Sequence, residues 1–318
     1  MKPLRYILLG LLVFAAGSLG AAGLDDYKSL RLPEATRAAA GTNRVTVMFL
    51  GVATLLFDDG ETAIMIDGYL TRVPFAKFKV MAPDDAVLKK HLARAGVGKL
   101  AAVATVHSHF DHALDSPRVA QFTGAMLLGS ESTANIGRGQ GLAESQIKVV
   151  KNGDSLLYGK FKITFLTSAH LPSKFGLGQI TEPLQFPVHG EAMKLGEAFS
   201  ILVENEGRSY LIQGSAGFSG SELTGRKADV VFLGTGGLGA TAASYQSRYW
   251  DAIVKTVSAK RVVPIHWDNF YLPLDVDLVP APGFDKSMDA LIAFGKKDEV
   301  EIRLPVEWQW TEPTLGLK

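Results

Sequence analysis

The run "LAAVATVHSHFDH", residues 100–112, constrains this chain more than any other stretch. Its first seven positions hold no charged residue and are almost wholly apolar, the pattern of a strand buried on both faces, and such strands belong to sheets covered by helices. The run leads directly into His107, His109, Asp111 and His112, although the whole chain of 318 residues has only seven histidines. His107 and His109 stand at i and i+2, so both imidazoles can point to one side just past the strand end. Asp111 and His112 follow at once and can turn toward the same cavity. Imidazole nitrogen and carboxylate oxygen are ligands that Zn²⁺ takes when thiolate is lacking, and a catalytic site needs three protein ligands plus a water. The chain has no cysteine, so it offers no thiolate ligand, no disulfide framework and no thiol nucleophile. The cluster reads as a metal site rather than as a solvated loop.

The flanking sequence predicts an α/β domain with mixed sheets. "VTVMFLG", "ATLLFDD" and "TAIMIDG" read as strands of a meander turned at "DGE". "PDDAVLKKHLARAG" has an acidic start after proline, apolar spacing and a glycine stop, which predicts a helix over 84–95 with His91 on its polar, solvated face. Later strands are expected at "FKITFLTSA", "FSILVEN", "RSYLIQG", "ADVVFLG" and "RVVPIH", and helices around 244–257 and 286–297. Between them, residues 171–196 are rich in glycine and proline without a steady period. Such a long insertion loop tends to be a lid or binding loop. No repeat of fixed period is visible.

The HxHxDH motif resembles the hallmark of the metallo-β-lactamase superfamily, and the resemblance extends over residues 45–270. It implies an αββα four-layer sandwich with two mixed β-sheets and two metals side by side between them. By matching motif, His107, His109 and His170, the last ending "FKITFLTSAH", would hold the first metal. Asp111, His112 and His266, in "RVVPIHWDNF", would hold the second. The "SAHLPSK" and "PIHWDNF" contexts look most like the branch of ascorbate-phosphate lactonases and N-acylphosphatidylethanolamine-hydrolysing phospholipases D. One departure stands out. Where most two-metal members carry a bridging aspartate, this chain has Ser215 in "YLIQGSAGF", and a neutral hydroxyl bridges poorly. The resemblance therefore implies one Zn²⁺ or two of uneven affinity, with other divalent metals able to substitute. Asp111 would orient the activated water and serve as base or proton carrier.

Other signals weigh less. "GTGGLG", residues 234–239, matches a dinucleotide fingerprint in form, but the acidic residue expected about 20 positions on is replaced by a helical stretch. A glycine-rich active-site loop fits better, with Gly236 and Gly237 at the substrate. His189 in the insertion and Ser215 are further candidate substrate contacts; Phe175, Phe186 and Phe199 are candidates for core or an acyl pocket. Asp67, after "AIMI", is a candidate partner for the metal ligands.

The N-terminus, "MKPLRYILLGLLVFAAGSLGAAG", has the basic start, apolar run and small residues of a cleavable signal peptide, with a cut after Ala22. An uncleaved N-terminal anchor is the alternative, because the uncharged stretch reaches roughly 19 residues. Cleavage leaves residues 23–318 as one hydrolase domain with no stable membrane span, in a bacterial periplasm or secreted. It removes Lys2 and Arg5 from a chain of net charge +1, so the remainder is near neutral and carries no field that draws nucleic acid. The expected activity is hydrolysis of a lactone, ester or phosphodiester in a small-molecule or lipid-like substrate. A periplasmic β-lactamase and a non-catalytic metal-binding module are the rivals. Oligomeric state is not legible.

Overall fold

Asp58, Asp59 and Gly60 make the turn after the second strand as their chemistry dictates. The Asp58 carboxylate accepts from the Gly60 N–H and the Asp59 carboxylate from Glu61 and Thr62, while Gly60 takes φ +87° with its Cα facing the Ala39 backbone too closely for any side chain. The turn joins strands β2 (Leu55–Asp58) and β3 (Ala63–Ile66), and β2 also pairs antiparallel with β1 (Thr46–Phe49). The computed structural model describes residues 23–317; the expected signal peptide lies outside them.

The chain then alternates. Helix α1 (Asp85–Arg94) is capped by the Asp84 carboxylate, which accepts from Ala86 and Val87. Strand β4 (Ala102–Ala104) leads into the single helical turn α2 (Phe110–Ala113) and helix α3 (Ser116–Thr123). Strand β5 (Met126–Gly129), helix α4 (Glu131–Gly139) and strand β6 (Ile147–Val149) follow. Strands β3 to β6 are mutually parallel. The second half repeats the scheme: β7 (Ser155–Tyr158), β8 (Phe161–Thr167), β9 (Phe199–Asn205) and β10 (Arg208–Gln213) run antiparallel. Then β11 (Val230–Gly234), helix α5 (Ala243–Trp250), β12 (Arg261–Ile265), helix α6 (Phe284–Asp298) and β13 (Glu301–Ile302) complete a parallel part. Strand β14 (Trp310–Thr311) returns to pair with β1. Each sheet has seven strands, in the orders 14-1-2-3-4-5-6 and 13-12-11-10-9-8-7.

The two sheets share one core. Phe57 of β2 is fully buried and meets Phe161, Tyr210 and Phe232 of the opposite sheet, with ring centroids 5.4–6.5 Å apart. Truncating such a residue to alanine costs about 3–5 kcal/mol. Helices α3 and α4 pack on the first sheet and α6 on the second, giving the expected αββα layering.

Two expectations need correction or refinement. His91 is not solvated. The segment before β14 covers α1, so His91 is 1% exposed with its ring 5.4 Å from Trp308, on which Arg94 also stacks. The helix expected at 244–257 splits into α5 and a π-helical turn, Asp251–Lys255. Residues 171–196 hold only a 3₁₀ turn, Gly190–Ala192, yet they are fastened down. Val188 exchanges two backbone hydrogen bonds with Met81, and Ile180 bonds Ser132 and Asn135. Ile180, Val188 and Met193 join a second apolar cluster with Tyr69, Phe110 and Ile136. Among the described residues no helix is long and apolar enough to cross a membrane.

Candidate metal centre

The HSHFDH motif unfolds into a strand exit followed by one helical turn. The chain leaves β4 in extended form, and His109 then caps α2, its carbonyl accepting from His112 and Ala113. That turn places Asp111 and His112 beside His107 instead of spreading them along a loop; the His107 and His112 rings lie 3.9 Å apart. The end of β8 brings His170 to 4.8 Å from the His109 ring and 5.0 Å from that of His107. The end of β12 brings His266, whose Nε2 is 3.2 Å from the Asp111 carboxylate. Sequence positions 159 residues apart thus meet because every contributing strand ends on the same rim.

The donors form two sets, His107–His109–His170 and Asp111–His112–His266, in each of which the ligand atoms lie within 4.8 Å of one another. Four of them, His109, Asp111, His170 and His266, line a cleft of about 260 Å³ together with Ser215, Gly236 and Gly237, while the buried His107 and His112 are not in that lining. His189 is not in that lining; it is exposed, caps the 3₁₀ turn and packs edge-on against Phe78. Of the three phenylalanines singled out above, Phe175 lines the cleft, Phe186 joins the second cluster and Phe199 sits in the main core.

No family model matches the chain. A UPF0173 metal-dependent hydrolase of Exiguobacterium sp. is 25% identical over 233 residues, which span 71% of this chain and 87% of the relative. A Parabacteroides distasonis protein assigned as a metal-dependent hydrolase superposes with a TM-score of 0.50 at 13% identity, covering 86% of this chain and 98% of that one. The diiron β-hydroxylase CmlA of Streptomyces venezuelae gives 0.51 at 15% identity, covering 88% of this chain and 55% of its own. These likenesses, together with the two mixed sheets between helices, decide the architecture. The chain has the metallo-β-lactamase fold.

Within this metallo-β-lactamase fold the donors suit metal. His107, His109 and His112 each have a buried Nε2 with no hydrogen-bond partner, a costly state unless something else binds there. Burial, aided by neighbouring imidazoles, pushes His107 well below the usual imidazole range; His109 is pushed down to about 4, chiefly by burial. Neutral imidazole is the form a cation binds. His170 donates from Nδ1 to the Leu171 carbonyl at 2.7 Å, leaving Nε2 for the cleft. His112 is turned the same way by Asp67, whose carboxylate sits 2.8 Å from Nδ1 with both groups fully buried. Asp67 in turn accepts from the Val106 N–H at 2.9 Å. Burial raises the Asp67 pKa; burial alone would lower that of His112, but Asp111 and Asp67 outweigh it and raise it. For Asp111 burial works upward, yet His112 and the His266 hydrogen bond prevail and hold its carboxyl well below the usual range. Two glycines permit the crowding: a Cβ at Gly176 would lie 2.9 Å from His109 Nε2, and one at Gly236 2.8 Å from His266 Nδ1.

Ser215 does line the cleft, but its hydroxyl accepts from the Leu171 N–H at 3.0 Å and steadies the residue after His170. Sequence reasoning missed the support of His266. The His266 N–H donates to the Val52 carbonyl, the Val52 N–H donates to Asp268, and Asp268 is paired with the buried Arg72. Val52, Asp67, Arg72 and His266 all take φ of 50–55°, a conformation that costs non-glycine residues about 1–3 kcal/mol each and clusters at functional sites. Asp115 was missed too: it accepts from the Leu70 and Thr71 N–H groups and the Thr71 hydroxyl, fastening the loop that carries Arg72. "Arg-Val-Pro" and "Asp-Ser-Pro" carry no local signal of either role.

Proposed function

We propose that the chain is a metal-dependent hydrolase that directs water at a lactone, ester or phosphodiester. The supporting observation is the pair of three-donor sets at one cleft, with buried imidazole nitrogens that nothing in the protein satisfies. In this reading His107, His109 and His170 hold the first metal and Asp111, His112 and His266 the second, with zinc the resident ion. The metal supplies Lewis acidity, which lowers the pKa of a water and polarises a carbonyl or phosphoryl oxygen.

The chain's own residues do the rest. Asp111, kept ionised by His112 and His266, orients the attacking water and relays its proton to the leaving group rather than storing it. Asp67 fixes the His112 tautomer so that Nε2 is left free on the side of Asp111 and His266. The peptide at Gly236 and Gly237 and the Ser215 turn border the substrate's reacting group. We take residues 1–22 as a removable leader, a reading under which the enzyme works in the bacterial periplasm or is secreted.

The test is side-by-side hydrolysis of a lactone, a p-nitrophenyl ester, bis(p-nitrophenyl) phosphate and nitrocefin. Turnover of one of the first three that is lost with chelator, restored by zinc and abolished in His109→Ala supports the reading. Metal bound without turnover of any substrate supports a binding module instead, and nitrocefin alone supports a β-lactamase.

A further inference from the structure

We propose that the substrate carries an apolar acyl arm and no acidic group beyond its reacting centre, the arm lying along an aromatic wall that leads outward from the metal ligands. This rests on the hydrolase reading above. The wall begins at the donors themselves. Phe175 meets the His109 ring at 5.3 Å, and Phe270 meets the His266 ring at 5.7 Å. Both phenylalanines line the cleft, and Phe110 lies between them, 6.0 and 5.9 Å from their centroids. Phe270 continues to Tyr271 at 4.7 Å, and Tyr271 to Phe75 at 5.3 Å. Phe75 is 51% exposed. Through Tyr271, the exposed Phe75 ring continues the apolar lining of the cleft outward.

Charge narrows the class further. Among the described residues no lysine or arginine lines the cleft, whereas Asp111 and Asp268 do. Arg72 is fully buried and engaged with Asp268. A carboxylate on the arm would therefore lose its water with no lysine or arginine of the cleft wall to pair with. The cleft's volume of about 260 Å³ is also below the roughly 300–1,000 Å³ usual for a pocket that encloses a whole ligand. It holds the reacting group, so a longer arm must pass beyond it, past Tyr271 toward Phe75.

The test uses metal-replete protein and p-nitrophenyl esters that share one leaving group: acetate, pentanoate and octanoate, with the mono-ester of glutaric acid as the acid-tailed match to pentanoate. Expected is a rise in kcat/KM of at least about tenfold from acetate to octanoate, since each methylene buried adds affinity, with the glutarate at least about tenfold below pentanoate. Phe75→Ser and Phe175→Ala should each lower the octanoate-to-acetate ratio severalfold. Turnover with no gain along the series, or glutarate equal to pentanoate, overturns this inference alone. No turnover of any ester, lactone or phosphodiester overturns the hydrolase reading and this inference with it.

Discussion

The Arg72 guanidinium and the Asp268 carboxylate meet at 2.7 Å with neither side chain exposed to solvent. Asp268 lies two residues after His266 and also accepts from the Val52 N–H, while the Val52 carbonyl accepts from His266. The pair therefore fixes the turn that presents His266. Removing one partner of a buried ion pair leaves the other charged and unpaired, at a cost of about 3–5 kcal/mol. Arg72→Met and Asp268→Asn should each lower stability on that scale in urea unfolding, and the metal released first on chelator titration should be the one that His266 would hold. Arg72→Lys should lose less, since it keeps the charge.

Asp67→Asn tests the support of His112. The amide oxygen can still accept from Val106, but the charge opposite His112 Nδ1 is gone. Outer partners of ligating histidines contribute about 10–100-fold in metal affinity. Competition against a chromophoric chelator should show a loss of that size in the weaker binding step and little change in the tighter one.

Ser215→Asp tests the departure from the bridging pattern. A carboxylate at this position in the cleft lining adds negative charge beside both donor sets. The second binding step should tighten, so that two metals survive a dialysis that leaves wild type with fewer. An unchanged stoichiometry would show that position 215 does not face the metals.

His91 governs a pH effect remote from the metals. Burial lowers its pKa below the imidazole value of 6.5; Asp275 opposes this, and Lys90, Arg94 and Arg72 add to it. The unfolded chain therefore binds the proton more readily than the folded one. Stability is complete above about pH 6.5 and declines as pH falls from there toward the lowered folded value. His91→Gln should flatten that part of the stability–pH curve measured by thermal melts, whereas a slope unchanged in the variant would place its origin elsewhere.

What the sequence disclosed follows from how local each signal is. The meander, α1, and the strands before His107, His170 and His266 were legible because continuous apolar runs and an Asp cap act over a few residues. Helix α4, "ESTANIGRG", was not, because serine, threonine, asparagine and glycine are weak helix formers; the Ser130 cap and packing on β5 and β6 hold it. The burial of His91 depends on Trp308, more than 200 positions away, which no helical periodicity can register. The six candidate donors were picked out from motif and strand endings, and the fold brings them together in two sets, but their supports, Arg72, Asp115 and Asp268, act through long-range hydrogen bonds and could be found only in the fold.

The most direct test of the account is metal content by mass spectrometry on the chain from residue 23 to 318, purified without chelator, beside His266→Ala. The account predicts two metals per wild-type chain and one in the variant. No metal in either protein would contradict it, and the unpartnered nitrogens of His107, His109 and His112 would then need another ligand.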